Sequence, residues 1–308
     1  MAARAPGDPD AIRAIPVRHW GRWISGAAVL LVMAWVAWST ARSGIIDARV
    51  VRRYQFSSLI LQGLWATVKL AVLAQAVGIV LGVLFAVLRL SKNVVASWVA
   101  SFYIWFFRGT PVLVQLLFWY NGVPSVWKRI TIPVPFTHLA FYSGRTVDFM
   151  TPFMAAFLGL ALNEGAYMAE IVRAGILSVD EGQVEAAQAL GMTPTLTMRR
   201  IVLPQAMRVI VPPTGNEFIS MLKTTSLAEV VTYGELLRRA SDIYATNLKP
   251  VPLLVVVSIW YLVLTTVASI GQYFLERRFA RGRGRSDDAD VGALSARILR
   301  AVGGRPRV

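Results

Sequence analysis

Six stretches of this chain are apolar for long enough to cross about 30 Å of hydrocarbon, and that length decides the class of fold before anything else does. They run from Ile24 to Thr40, Leu59 to Leu88, Trp98 to Tyr120, Met150 to Ile176, Gln205 to Val231 and Val251 to Phe274. A backbone in lipid finds no water to bond, so each stretch reads as a helix that satisfies its own N–H and C=O groups. The expected fold class is all-α integral membrane. With 56% of 308 residues hydrophobic and 16% charged, the chain has more apolar surface than one water-soluble core needs. Trp20, Trp23, Trp35 and Trp38 edge the first stretch in the manner of an interfacial aromatic belt. No small-residue cleavage site stands out beside it, so it reads as a retained anchor rather than a removed signal peptide.

A net charge of +15 could suggest a nucleic acid partner, but its distribution argues otherwise. Nine of the 32 basic residues lie between Arg277 and Arg307, directly after the last apolar run. Basic flanks beside spanning helices mark the cytoplasmic side and need only lipid phosphate as a partner. With both termini inside, the inner gaps hold 4, 2, 4 and 9 Lys and Arg, against 4, 3 and 3 in the outer gaps. That orientation puts the gap after Ile176 in the cytoplasm.

The chemistry of catalysis is missing. There is no Cys, and His19 and His138 are isolated, so neither a metal centre nor a nucleophile with its base can be assembled. Lys69, Lys92, Lys128, Lys223 and Lys249 follow Val, Ser, Trp, Leu and Leu, whereas a phosphate-binding P-loop needs Gly before its Lys. The expectation is no catalytic residue, no metal and no cofactor bound by this chain.

The polar gap after the fourth stretch carries Glu185, Ala186 and Ala187, then Gly191, then Ile201, Leu203 and Pro204. Glu185 would stand near the start of a short helix, where the dipole favours a carboxylate. The two alanines form helix without bulk, suited to close docking, and Gly191 ends it in the left-handed conformation. Pro204 marks the start of the next helix. This cassette resembles the cytoplasmic coupling loop of permease subunits of bacterial ABC importers. Four further blocks narrow the resemblance to importers of polar amino acids, the histidine and glutamine type: Gly63 to Thr67, Arg108-Gly-Thr-Pro111 to Gln115, Gly165 to Gly175, and Gly215-Asn-Glu-Phe218 to Lys223. The match runs from about Leu59 to Arg278.

The resemblance implies a five-helix permease core, here with one extra N-terminal transmembrane helix. It also implies a second permease subunit, the same or a related chain, around a pseudo-two-fold axis. Two ATPase subunits would bind the loop and hold the ATP and Mg, with an extracellular solute-binding protein on the other side. Domains are expected at 1–50 (cytoplasmic segment and extra helix), 51–278 (transport domain, coupling loop 177–205) and 279–308 (basic disordered tail). The plasma membrane is the expected location.

Polar residues inside the spans point to a solute pathway, since an ionisable group at that depth is costly. Glu170 has Arg173 three residues on, the spacing of an ion pair on one helix face. Pro212-Pro213 and Gly215 are expected to break the fifth helix, with Glu217, Ser220, Met221 and Thr224 on one face beyond the break. Asn163, Glu164 and Tyr167 come from the fourth stretch, and Val112 and Gln115 from the third. The resemblance implies that Val112, Asn163, Glu217 and Met221 line a small amino acid pocket. Two carboxylates there favour a basic or neutral polar amino acid. The alternative is an ion-coupled secondary transporter, which would share the acids and the broken helix but has no use for the coupling cassette.

Overall fold

The computed structural model describes residues 20–280, so residues 1–19 and the tail from 281 onward lie outside the described residues. The chain divides after Arg49 into two units. In the first, helix α1 (Trp20–Arg42) contains an apolar stretch, Trp23–Val36, shorter than a bilayer crossing requires by length and composition. The Arg42 guanidinium lies 4.2 Å over the Trp38 ring.

The second unit is built on long helices. After α2 (Ala48–Tyr54), α3 (Ser58–Arg89) runs 32 residues, roughly 48 Å. Helices α4 (Val94–Gly109), α5 (Val112–Leu117) and α6 (Val123–Val126) follow. An antiparallel hairpin of β1 (Arg129–Pro133) and β2 (Ala140–Arg145) leads through α7 (Thr146–Phe149) into α8 (Pro152–Leu177). Next come α9 (Glu181–Ala189), α10 (Pro194–Thr197), α11 (Leu203–Thr224), α12 (Leu236–Asn247) and α13 (Pro250–Ala280). The hairpin sits where only an outer gap was expected. It is tied by Thr131 Oγ1 to Ser143 Oγ at 3.1 Å and flanked by the Arg145–Asp148 ion pair at 2.9 Å. The hydrogen bond from Arg145 holds the Asp148 carboxyl below its ordinary range.

Helices α3 and α13 are each long and apolar enough to cross a membrane alone. The third expected span differs from its reading as one helix, because the chain bends by 102° between α4 and the Val112–Val126 segment. Pro111 and Thr110 are the cause: both are extended, and Pro111 has no N–H to continue the helix. The fifth span corrects the reading in the opposite sense. Helix α11 continues through Pro212 and Pro213, and its α-helical run ends at Thr224, where the 3-10 turn Thr225–Val231 takes over. A neighbour braces the weakened stretch: Gln272 Nε2 of α13 donates to Pro212 O at 3.1 Å and to Asn216 Oδ1 at 3.1 Å.

The tightest pairing is α3 against α8, and small residues make it possible. A Cβ at Gly82 would stand 2.9 Å from the Met168 carbonyl carbon and 3.1 Å from Ala169 N, and one at Gly78 would stand 2.8 Å from Glu164 Cβ. Leu70, Leu116, Leu160, Met221 and Leu222 close a buried cluster above this contact, so α3, α5, α8 and α11 meet around one point.

Candidate functional site

Beside that meeting point a cavity of about 610 Å³ opens between the end of α4 and start of α5, α8 and α11. Its geometry starts from Pro111. Without a proline N–H, the Phe107 carbonyl has no α-helical donor, and an orphan carbonyl at membrane depth has to find another. Asn163 Nδ2 of α8 supplies one at 2.7 Å and Gln115 Nε2 a second at 3.0 Å. Gln115 Nε2 also donates to Thr110 O at 3.1 Å and Thr110 Oγ1 at 2.8 Å, so this side chain holds the bend closed. The consequence is a wall of Arg108 to Val112 facing α8 across the hollow.

From α8, Leu160, Asn163, Glu164 and Tyr167 face the cavity; from α11, Glu217, Ser220, Met221 and Thr224 do so on one helical face. The structure thus brings together six of the seven expected pathway residues: Val112, Asn163, Glu164, Tyr167, Glu217 and Met221. Gln115 is placed behind the lining, at the bend, because the carbonyls released there take its amide. Glu164 is almost fully buried and its Oε1 accepts from Gln75 Nε2 of α3 at 2.9 Å. Glu217 is half-buried and open to the hollow.

Two side chains escaped the sequence reading. Arg108 lines the cavity with its guanidinium 5.1 Å over the Tyr167 ring, in electrostatic range of Glu217. Its signal was present, as the one cation at the end of an apolar run just before Gly109-Thr110-Pro111. Gln75 gave none, since a lone amide within a 32-residue apolar helix marks no partner by itself.

At the far end of α8 the expected coupling residues lie on and after α9. The helix begins at Glu181, so Glu185 stands in its second turn rather than at its start, and Glu181 holds the first-turn position. Gly191 ends the turn with φ +75°, the left-handed value expected. The two alanines part company: Ala186 is exposed, while Ala187 is 3% exposed and packs into its own chain. Leu190, absent from the expected set, is 83% exposed and forms an apolar knob beside them. Ile201 lies in the π-turn Met198–Val202, and Leu203 and Pro204 open α11. Gln205 Nε2 donates to Gln183 Oε1 at 2.7 Å, tying α9 to the start of α11. Glu170 Oε2 accepts from Arg173 at 2.7 Å, with Arg89 at 3.9 Å, which fixes the end of α8 near the turn after α3.

Near the opposite end, Glu235 caps α12, accepting from Leu237 N at 2.9 Å and Arg238 N at 2.7 Å, and Tyr261 Oη of α13 donates to it at 3.0 Å. Its full burial pushes the carboxyl up to about 7.

The chain is 44% identical over 295 residues to the arginine transport system permease protein ArgU of Corynebacterium glutamicum, covering 96% of this chain and 89% of that one. It is 35% identical over 220 residues to the glutamine transport system permease protein GlnP of Escherichia coli, covering 71% and 92%. Among solved structures, an amino acid ABC transporter crystallised with histidines superposes with a TM-score of 0.64 at 35% identity, over 76% of this chain and all of that one. The methionine transporter MetNI shares the fold, with a TM-score of 0.57 at 19% identity over 72% of this chain and 96% of that one. Residues 78–281, more than half of the chain, match the family of binding-protein-dependent transport system inner membrane components, and the chain belongs to that family.

Proposed function

We propose that this chain is the membrane-spanning subunit of an ATP-driven importer for a polar amino acid, with the cavity between the α4–α5 bend, α8 and α11 as its solute passage. The observation that carries the reading is the charge pattern of that cavity. A guanidinium on one wall and two carboxylates, Glu164 and Glu217, on the others complement the carboxylate and ammonium ends of an amino acid. Glu217, free of a protein partner among the described hydrogen bonds and ion pairs, is the group available to a second cation, which favours a basic amino acid. The similarity to arginine and glutamine permeases supports the same class of solute.

On this reading ATP and Mg belong to a separate ATPase docked on α9 and the residues that follow, and both termini face the cytoplasm. A second permease subunit completes the passage, and an extracellular solute-binding protein delivers to the hairpin side. Residues 51–278 form the transport domain, and α1 is an additional membrane anchor.

The test is uptake of labelled basic and neutral amino acids into proteoliposomes holding the assembled transporter, with ATP at the ATPase face. Uptake that needs ATP and survives collapse of ion gradients is expected. Uptake driven by a gradient alone would sink the reading.

A further inference from the structure

A second cleft, about 420 Å³, opens between the start of α11 and the last turn of α13. Three guanidiniums line it: Arg199 on the π-turn before α11, Arg208 in the second turn of α11, and Arg278 near the end of α13. Its apolar side is made by Leu203, Met207 and Phe279. No carboxylate lines the cleft, and none of the three arginines enters an ion pair among the described residues. Glu276, a nearby acid in sequence, accepts from Gln272 Nε2 at 2.7 Å instead. The three arginines are exposed, and among the described residues no carboxylate offsets their charge at the cleft.

We propose that this cleft binds the phosphate of an anionic membrane lipid headgroup. A guanidinium presents paired N–H donors that fit phosphate oxygens, and three around one hollow can surround such a group. Position selects lipid over a free anion. The cleft lies where α11 begins and α13 ends, beside an apolar wall that a glycerol backbone and acyl chain would cover and that inorganic phosphate would leave unused. Basic pockets between spanning helices at the membrane surface take lipid phosphates in this way. The lining flanks Gln205, the residue that holds α9, with Leu203 and Pro204 before it and Met207 and Arg208 after it, so an occupied cleft would brace the start of α11 where the coupling helix is tied to it. The inference needs only the helix ends to lie at the membrane surface, and stands apart from the identity of the solute.

Native mass spectrometry of the assembled transporter, titrated with phosphatidylglycerol, phosphatidylcholine or inorganic phosphate, tests it. Phosphatidylglycerol should bind at least tenfold more tightly than phosphatidylcholine. The Arg199→Gln/Arg208→Gln/Arg278→Gln variant should lose on the order of a hundredfold, and each single variant about fivefold. A control Arg52→Gln/Arg53→Gln variant should lose nothing. Should the triple variant fail to assemble, the single variants carry the test. Equal binding of the two lipids, or phosphatidylglycerol binding unchanged in the single and triple variants, overturns the proposal. So does inorganic phosphate binding as tightly as lipid, which assigns the cleft to a free anion. Loss of the ATPase with lipid binding intact assigns it to a protein surface and also overturns it. ATP-driven uptake, measured separately, tells failure of this site from failure of the importer reading.

Discussion

Glu235 shows how one side chain can make this molecule sensitive to pH. Burial raises its carboxyl to about 7 in the folded chain, against an ordinary value of 4.5, so the folded state holds a proton that the unfolded state has released. The contribution of Glu235 to stability should therefore be fully present below pH 4.5 and be lost as pH rises through 7, by at most roughly 3 kcal/mol. Melting curves of the detergent-purified chain between pH 5 and 8 should show that slope, and Glu235→Gln should flatten it; an unchanged slope would assign the pH dependence elsewhere. Glu217 makes a different prediction. If its carboxylate receives the cationic group of the solute, Glu217→Gln should cut uptake of basic amino acids by about tenfold or more, with neutral ones less affected. Initial rates over a range of concentrations would separate weaker binding from slower turnover. Gly82 is a third case: Gly82→Val would drive a side chain into the Met168 and Ala169 backbone, and should cost about 1–3 kcal/mol of stability in a denaturant titration.

At the scale of elements, α9 separates two neighbouring alanines that look alike in sequence. Ala186→Trp should leave melting unchanged yet reduce co-purification of the ATPase and ATP-driven uptake by tenfold or more, since Ala186 is exposed beside Glu185 and Leu190. Ala187→Trp should instead lower stability, because Ala187 is packed inside. Equal effects of the two changes on ATPase binding alone would argue against α9 as the docking element. The helix itself was legible from Gly191 and from the alanines, while its inner and outer faces were not, because four residues of helical pattern do not show which side meets the α11 start. The α4–α5 bend and the unbroken α11 were misread for one reason. A proline removes a donor wherever it stands, but the outcome depends on what its neighbours offer. At Pro111 the local amide of Gln115 and the distant one of Asn163 donate to the freed Phe107 carbonyl, whereas Pro212 and Pro213 are followed by a stretch that Gln272 braces, and the helix continues. Glu217, Ser220, Met221 and Thr224 were placed on one face correctly all the same, since helical spacing holds on either account. Gln75 and Arg108 enter the picture through packing across 89 and 109 residues of chain from Glu164 and Glu217 respectively, distances over which spacing carries no signal.

For the whole molecule, α8 supplies the ruler. Its 26 residues, roughly 39 Å, separate the hairpin before it from α9 after it, so the two should face opposite compartments. The chain has no Cys, so single cysteines report cleanly. Gln188→Cys should react with a membrane-impermeant maleimide only in opened vesicles, and Ser143→Cys in intact cells. The reverse pattern would overturn the orientation and with it the ATPase-facing role of α9. The 102° corner carries one more implication for how such a barrier opens. Helix α4 has 16 residues, about 24 Å, and is too short to seal the bilayer by itself. At that corner the amides of Gln115 and Asn163 take the Phe107 carbonyl in place of a backbone donor. Bonds made by side chains can be undone by turning a few torsions and remade just as cheaply, so on the proposed reading a polar passenger could be let through there without unwinding any stretch of backbone.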